Sequence, residues 1–163
     1  MVAGRCAAAE RDYPSVVARV AIPVFMAAFV ADLLSKEWAI SHAGGLVFNN
    51  KPSELPLRVL ISLVTIAGAF VLAWLAGLRG LGRQWGLWIG VALLVAGILA
   101  NGVSALLWAR GVPDFIDVRG WVWNVADFEI AIGLTGGTLS LGVNAILVYT
   151  RETVARRRAT SPS

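Results

Sequence analysis

Residues 85–108 read WGLWIGVALLVAGILANGVSALLW, a run of 24 residues without one charged side chain. Wound as a helix at about 1.5 Å per residue, such a run crosses a hydrocarbon layer of about 30 Å. Inside that layer no water serves the backbone N–H and C=O groups. The run must therefore close its hydrogen bonds within itself, as a helix.

Working outward, three more apolar blocks share this character, at about residues 16–40, 57–78 and 125–149. The first is interrupted by Arg19, Asp32, Lys36 and Glu37. It fits a cleaved signal peptide poorly, because Asp32 and Lys36 stand where a simple apolar region would end. Across the 163 residues, 58% are hydrophobic and only 15% charged. A soluble domain of this size carries about 25% charge. The expected class is an all-α integral membrane protein with four transmembrane helices and a small extracytoplasmic strand and loop platform. The expected organisation is a cytoplasmic tail over 1–15, a membrane domain over 16–150 and a basic cytoplasmic tail over 151–163.

Charge sets the orientation. Arg5, Arg11, Arg19, Arg79, Arg83, Arg151, Arg156, Arg157 and Arg158 share one side with only Glu10, Asp12 and Glu152. The other side carries five basic residues against seven acidic ones. The positive-inside rule then places both termini and the loop over 77–84 in the cytoplasm. Basic residues at membrane flanks are a topology signal, so the net charge of +4 implies no nucleic-acid partner. The single cysteine, Cys6, excludes an intrachain disulfide framework, and with one distant histidine, His42, a structural zinc site is not expected.

Two segments face outward, 41–56 and 109–124, and both are rich in turn formers. Leu46, Val47 and Phe48 allow a short strand. The stretch from Asp117 to Trp123 is either another strand or an interfacial aromatic loop. Gly86 with Gly90, and Gly133 with Gly137, form GxxxG pairs suited to close helix packing.

Acids gather at one depth: Asp32 near the outward end of the first block, Asp114 just past the third, and Asp127 and Glu129 near the start of the fourth. Carboxylates at membrane depth are paired, wet or functional. If Asp114 and Asp127 meet, repulsion raises one pKa and leaves one proton shared, so the pair can serve as general base and general acid. The competing reading makes Asp127 a helix-capping residue. Asp32 and Lys36 stand four apart on one helical face, as an ion pair or as groups that orient a substrate.

Four motifs carry a resemblance. They are Asp32-Leu-Leu-Ser-Lys36-Glu-Trp38; Asn101 within the third block; Gly111-Val-Pro-Asp114-Phe-Ile-Asp117; and Trp123-Asn124-Val-Ala-Asp127. Together they resemble lipoprotein signal peptidase, the type II signal peptidase family of membrane aspartyl proteases. In that family the patterns read D-x-x-T/S-K-x-W, N-x-x-D-R, G-x-V-x-D-F-I-D and F-N-V-A-D.

The resemblance implies a catalytic pair, Asp114 and Asp127, supported by Asn124, Asn101, Asp32 and Lys36. Arg110, His42 and Trp123 are the candidate contacts for substrate or headgroups. It implies no metal or organic cofactor. The implied substrates are prolipoproteins whose cysteine already carries diacylglycerol, cut just before that cysteine, with membrane phospholipids as surroundings. The implied location is the bacterial cytoplasmic membrane, with the site near its outer face.

The chain departs from the pattern in places. Ser104 and Ala105 stand where N-x-x-D-R has its acid and arginine. The family's N-x-G-A-A-F segment is answered by His42-Ala-Gly44-Gly45-Leu-Val-Phe48, and one residue is missing between Gly111 and Asp114. Two other functions suit the same residues. One is a non-catalytic relative that binds acylated proteins or lipids. The other is a small transporter or bundle subunit using Asp32 and Glu129.

Overall fold

Directly after Asn124 a helix begins at Val125 that does not end until Thr160. The computed structural model describes residues 17–42, 46–49, 55–78 and 85–160. The expected tail over 1–15, Cys6 and most of the loop over 77–84 lie outside the described residues.

A π-helical turn, Val17–Ala21, leads into α1, Ile22–His42. Strand β1, Val47–Asn49, precedes α2, Leu55–Leu78. Helix α3 is Trp85–Leu107, followed by β2, Val112–Asp114, β3, Ile116–Val118, and β4, Trp121–Trp123. Helix α4 is Val125–Thr160. The basic segment from Arg151 thus continues the last helix through Thr160.

Three of these helices, α2, α3 and α4, are long and apolar enough to cross a membrane. Helix α1 has 21 residues, but Asp32, Lys36 and Glu37 interrupt it, and its composition alone does not qualify it as a span. The fold is mostly helical with two small strand pairs.

Helix α3 is the centre of the bundle. It packs most extensively on α4, next on α1 and least on α2. The α3–α4 seam is drawn tight by glycine. A Cβ placed on Gly90 would lie 2.5 Å from the Cα of Gly137, and one on Gly133 would lie 2.5 Å from the backbone N of Leu94. Lipid tails are as apolar as leucine, so helices in a membrane associate by such close backbone approach. The two GxxxG pairs therefore serve helix packing. Below them, Ala21, Ala73, Ala76, Leu87, Trp88, Val91 and Ala92 form the buried apolar core.

The strand platform has two antiparallel pairs. In the first, β1 pairs with β2, with Val47 opposite Asp114 and Asn49 opposite Val112. The second is a hairpin of β3 and β4, with Ile116 opposite Trp123. Its two-residue turn, Arg119-Gly120, has positive φ at both positions, 54° and 86°. That geometry matches the right-handed twist of the flanking strands. Asp117 accepts the N–H of Gly120 at 2.8 Å. The stretch 117–123 is therefore most of a hairpin, and the expected strand at 46–48 begins one residue later.

Candidate active site

The first turn of α4 is closed by a reciprocal cap. Asn124 Oδ1 accepts the N–H of Asp127 at 3.2 Å, and Asp127 Oδ2 accepts the N–H of Asn124 at 3.0 Å. Two of the donors that a helix start leaves unpaired are involved or matched in this way. A third, the N–H of Ala126, donates to Asp32 Oδ1 of α1 at 2.8 Å. Asp32 thus ties α1 to the start of α4, with the carboxylate at the positive end of the helix dipole.

Asp32 is also paired with Lys36, Nζ to Oδ2 at 2.6 Å, and neither side chain is exposed. The ammonium donates twice more, to Asn101 Oδ1 at 2.8 Å and to Ser104 Oγ at 3.1 Å. An ammonium has three donors. All three are used, which is the condition for burying a charge at this depth. The Ser104 hydroxyl donates in turn to the carbonyl of Ala100 at 2.6 Å.

From Lys36 the network runs on. Asn101 Nδ2 donates to Asp127 Oδ1 at 3.1 Å. Asn124 Nδ2 donates to Asp114 Oδ1 at 2.6 Å. A continuous polar chain therefore joins Asp32, Lys36, Asn101, Asp127, Asn124 and Asp114, drawn from α1, α3, α4 and β2. Asn124 thus meets both carboxyls, Asp114 through its side-chain amide and Asp127 through its backbone N–H.

Both of these carboxyls line one cavity of about 470 Å³, together with Asn49, Arg58, Asn101 and Asn124. The rest of its wall is mainly apolar and comes from α2 and α3. Burial pushes the Asp114 carboxyl above its ordinary value of 3.8; the Asn124 hydrogen bond opposes this, and the charge of Asp127 adds to it.

Three sequence candidates lie elsewhere. His42 is exposed, stacks on Trp38 and has Nδ1 3.0 Å from that residue's carbonyl. Arg110 lies over the Phe48 ring, 4.3 Å from its centroid. Trp123 packs against Phe128. None of the three lines the cavity.

The cation that does line it is Arg58, on the first turn of α2, donating to Asn49 Oδ1 at 3.2 Å. Sequence reading passed over it. Its signal was available, since Arg58 is the only charged residue in its apolar block. Glu129, two residues past Asp127, is buried, and its Oε2 has no hydrogen-bond partner among the described residues.

The family model described as Signal peptidase (SPase) II matches residues 24–142. That range holds every residue of the polar chain. No curated protein matches the sequence. Two solved structures, each described as a bacterial membrane enzyme, share the fold. One, at 1.9 Å resolution, is 17% identical with a TM-score of 0.55, covering 78% of this chain and 92% of its own. The other, at 2.3 Å resolution, is 18% identical with a TM-score of 0.53, covering 80% of this chain and 88% of its own.

Proposed function

The chain belongs to the signal peptidase II family, and on that premise we propose that it is an intramembrane aspartyl endopeptidase. Its substrates are prolipoproteins already carrying diacylglycerol on a cysteine, and it cuts the peptide bond just before that cysteine. The single observation that carries this reading is the sharing of Asn124 by Asp114 and Asp127 on one cavity wall.

In the proposed reaction a water sits between the two carboxyls. Burial favours the protonated form of Asp114, so Asp114 is the general acid and Asp127 the general base. Asp127 takes a proton from the water as its oxygen attacks the scissile carbonyl carbon. Asp114 gives its proton to the carbonyl oxygen. As the tetrahedral intermediate collapses, a proton returns to the leaving amine, and no covalent enzyme intermediate forms. Asn124 holds both acids, and Asn101 links Asp127 to the buried Lys36. Asp32 fixes the start of α4 and thereby the position of Asp127.

In this reading α1 is a fourth span, whose charges are compensated by partners inside the bundle. Both termini are cytoplasmic, and the strand platform and cavity lie at the outer face of a bacterial cytoplasmic membrane. The charge asymmetry supports that orientation. A second reading, a non-catalytic binder of acylated proteins, is favoured by Ser104 and Ala105, which replace the acid and arginine of the family pattern. Cleavage separates the two. Purified protein is incubated with a diacylglyceryl-modified prolipoprotein, beside folded Asp114→Asn and Asp127→Asn. Cutting before the lipidated cysteine that disappears in both variants is the expected result. Binding without cutting, across pH and lipid conditions, sinks the peptidase reading.

A further inference from the structure

The β3–β4 hairpin is the segment that joins the two carboxyls of the cavity. Asp114 ends β2 just before it, and Asp127 lies in the first turn of α4 just after it. Cross-strand partners share a face of a hairpin, and so do alternate residues of one strand. Ile116, Val118, Trp121 and Trp123 therefore make one face, and Asp117 and Val122 the other. The first face is wholly apolar, and only its inner half is covered. Trp123 packs on Phe128 of α4, with ring centroids 5.3 Å apart. Trp121 and Val118, beside the turn, are 75% and 40% exposed.

The direction of that face is set by α4. Phe128 and Ile132 stand four apart, on one stripe of a helix long and apolar enough to cross a membrane. Ile132 is exposed, so the stripe on which Trp123 rests faces lipid. The uncovered half of the hairpin continues that surface just beyond the helix start, at the level of lipid headgroups. Tryptophan is favoured there, because its ring is apolar and its N–H polar. The turn adds a cation. Arg119 is exposed, and its side chain makes no hydrogen bond or ion pair among the described residues. Its φ of 54° lies in the left-handed region, where asparagine or glycine fits with less strain. Turn chemistry thus disfavours an arginine here, while a phosphate-bearing surface suits its guanidinium. Asp117, on the other face, is engaged with the N–H of Gly120.

We propose that the β3–β4 hairpin is seated in the headgroup layer of the bilayer, with Val118 and Trp121 against the upper acyl chains and Arg119 on a lipid phosphate. The partner is bulk phospholipid, and the surface is separate from the cavity, which neither Val118, Arg119 nor Trp121 lines. The segment between Asp114 and Asp127 is thereby tied to the bilayer at its far end. The inference needs α4 to cross the membrane. It does not need the chain to be a peptidase.

The test uses the full-length protein in vesicles of phosphatidylcholine and phosphatidylglycerol. Cys6→Ser removes the single cysteine, and Val118→Cys takes a nitrobenzoxadiazole label whose emission reports polarity. Lipids with a nitroxide at a shallow or a deep acyl position are the quenchers. The expected result is blue-shifted emission, quenched more by the shallow nitroxide than by the deep one. Trp121→Ser is expected to lower the ratio of lipid-quenched to unquenched label about tenfold, and Arg119→Asn about fivefold. Arg119→Asn is also expected to raise the melting temperature in detergent by about 2–4 °C, since asparagine fits the turn. That variant keeps the test decisive where Trp121→Ser does not fold. Emission typical of water, without lipid quenching, overturns the inference. So does a label shielded from aqueous iodide yet reached by neither nitroxide, which assigns the face to a protein partner. An unchanged ratio in Arg119→Asn overturns the phosphate contact. If the label is seated in lipid as expected and no prolipoprotein is ever cut, the peptidase reading fails while this one stands.

Discussion

Helix α3 buries ten of its 23 residues, whereas α2 buries two of its 24, Ala73 and Ala76. Both are apolar runs of membrane length, so hydrophobicity does not separate them. Residue size does. On α3 the buried face is rich in glycine and alanine, and Gly90 and Gly97 bring its backbone against α4. On α2 the exposed positions are large, among them Leu57, Leu60, Ile61, Val64 and Trp74. Between helices in lipid there is no hydrophobic drive, and although α2 carries Ala67, Gly68 and Ala69, a Cβ on Gly68 would meet nothing within 4 Å, so no close backbone approach draws α2 inward there. The α3–α4 side holds the architecture and half of the polar chain, with Asn101, Asn124 and Asp127. The α2 side closes a cavity and presents Arg58 to it.

The largest expected effect falls on the α3–α4 side. Asp114→Asn or Asp127→Asn should lower the cleavage rate by about a thousandfold or more, the range lost with a general acid or base. Changes on the α2 wall should act instead on affinity. If Arg58→Met abolishes turnover as completely as Asp127→Asn, with the fold intact, the division of labour between the two sides is broken.

The next effect tests the buried ion pair. Lys36→Met leaves the Asp32 carboxylate buried beside an apolar chain and is expected to cost about 3–5 kcal/mol. Thermal unfolding in detergent would register this. Asp32→Asn with Lys36→Met should recover part of the loss, because no charge is then left unpaired. Recovery of nothing would mean that the hold of Asp32 on α4 outweighs the pairing.

Glycine substitutions compare the helices directly. Gly90→Val should destabilise by about 1–3 kcal/mol through overpacking, because its Cβ would press on the backbone of α4. Gly68→Ala on α2 meets nothing within 4 Å. It should be neutral or stabilise by up to about 1 kcal/mol, from helix propensity. Equal losses at the two positions would erase the contrast between the helices.

The smallest effect is a pH dependence. The Asp114 carboxyl is raised above 3.8 chiefly by burial, so the folded state holds its proton more tightly than the unfolded state. The stability this contributes is complete below the ordinary carboxylate range and is lost as pH rises through the raised value. Asp114→Asn should flatten that decline when melting temperatures are compared from mildly acidic to neutral pH. A decline of unchanged slope would place its origin in another group.

Parts of the site were legible from residue order because they are local. The Asn124-Val-Ala-Asp127 stretch states its own cap, since the first and fourth residues of a helix start face each other. Asp32 and Lys36 are one turn apart and pair for the same reason. Distant contacts were not legible. Nothing local indicates that Ser104 would accept from Lys36, or that Arg58 rather than Arg110 would line the cavity. Arg110 follows the end of α3 and turns to the Phe48 ring, a direction set by the strand platform and not by its neighbours in sequence.

The sequence by itself determined that this chain enters a membrane, which blocks form its helices, and which residue types stand at one depth. Those follow from transfer of apolar side chains out of water and from the need to satisfy the backbone there. The rotation of each helix about its axis was decided by the tertiary structure alone. Rotation depends on which small residues let backbones touch, and it determines whether a polar side chain meets a partner, a cavity or nothing. Lys36 meets three acceptors, Arg58 meets the cavity and Glu129 keeps an unpartnered oxygen, and each outcome is a consequence of how α1, α2 and α4 are turned around α3.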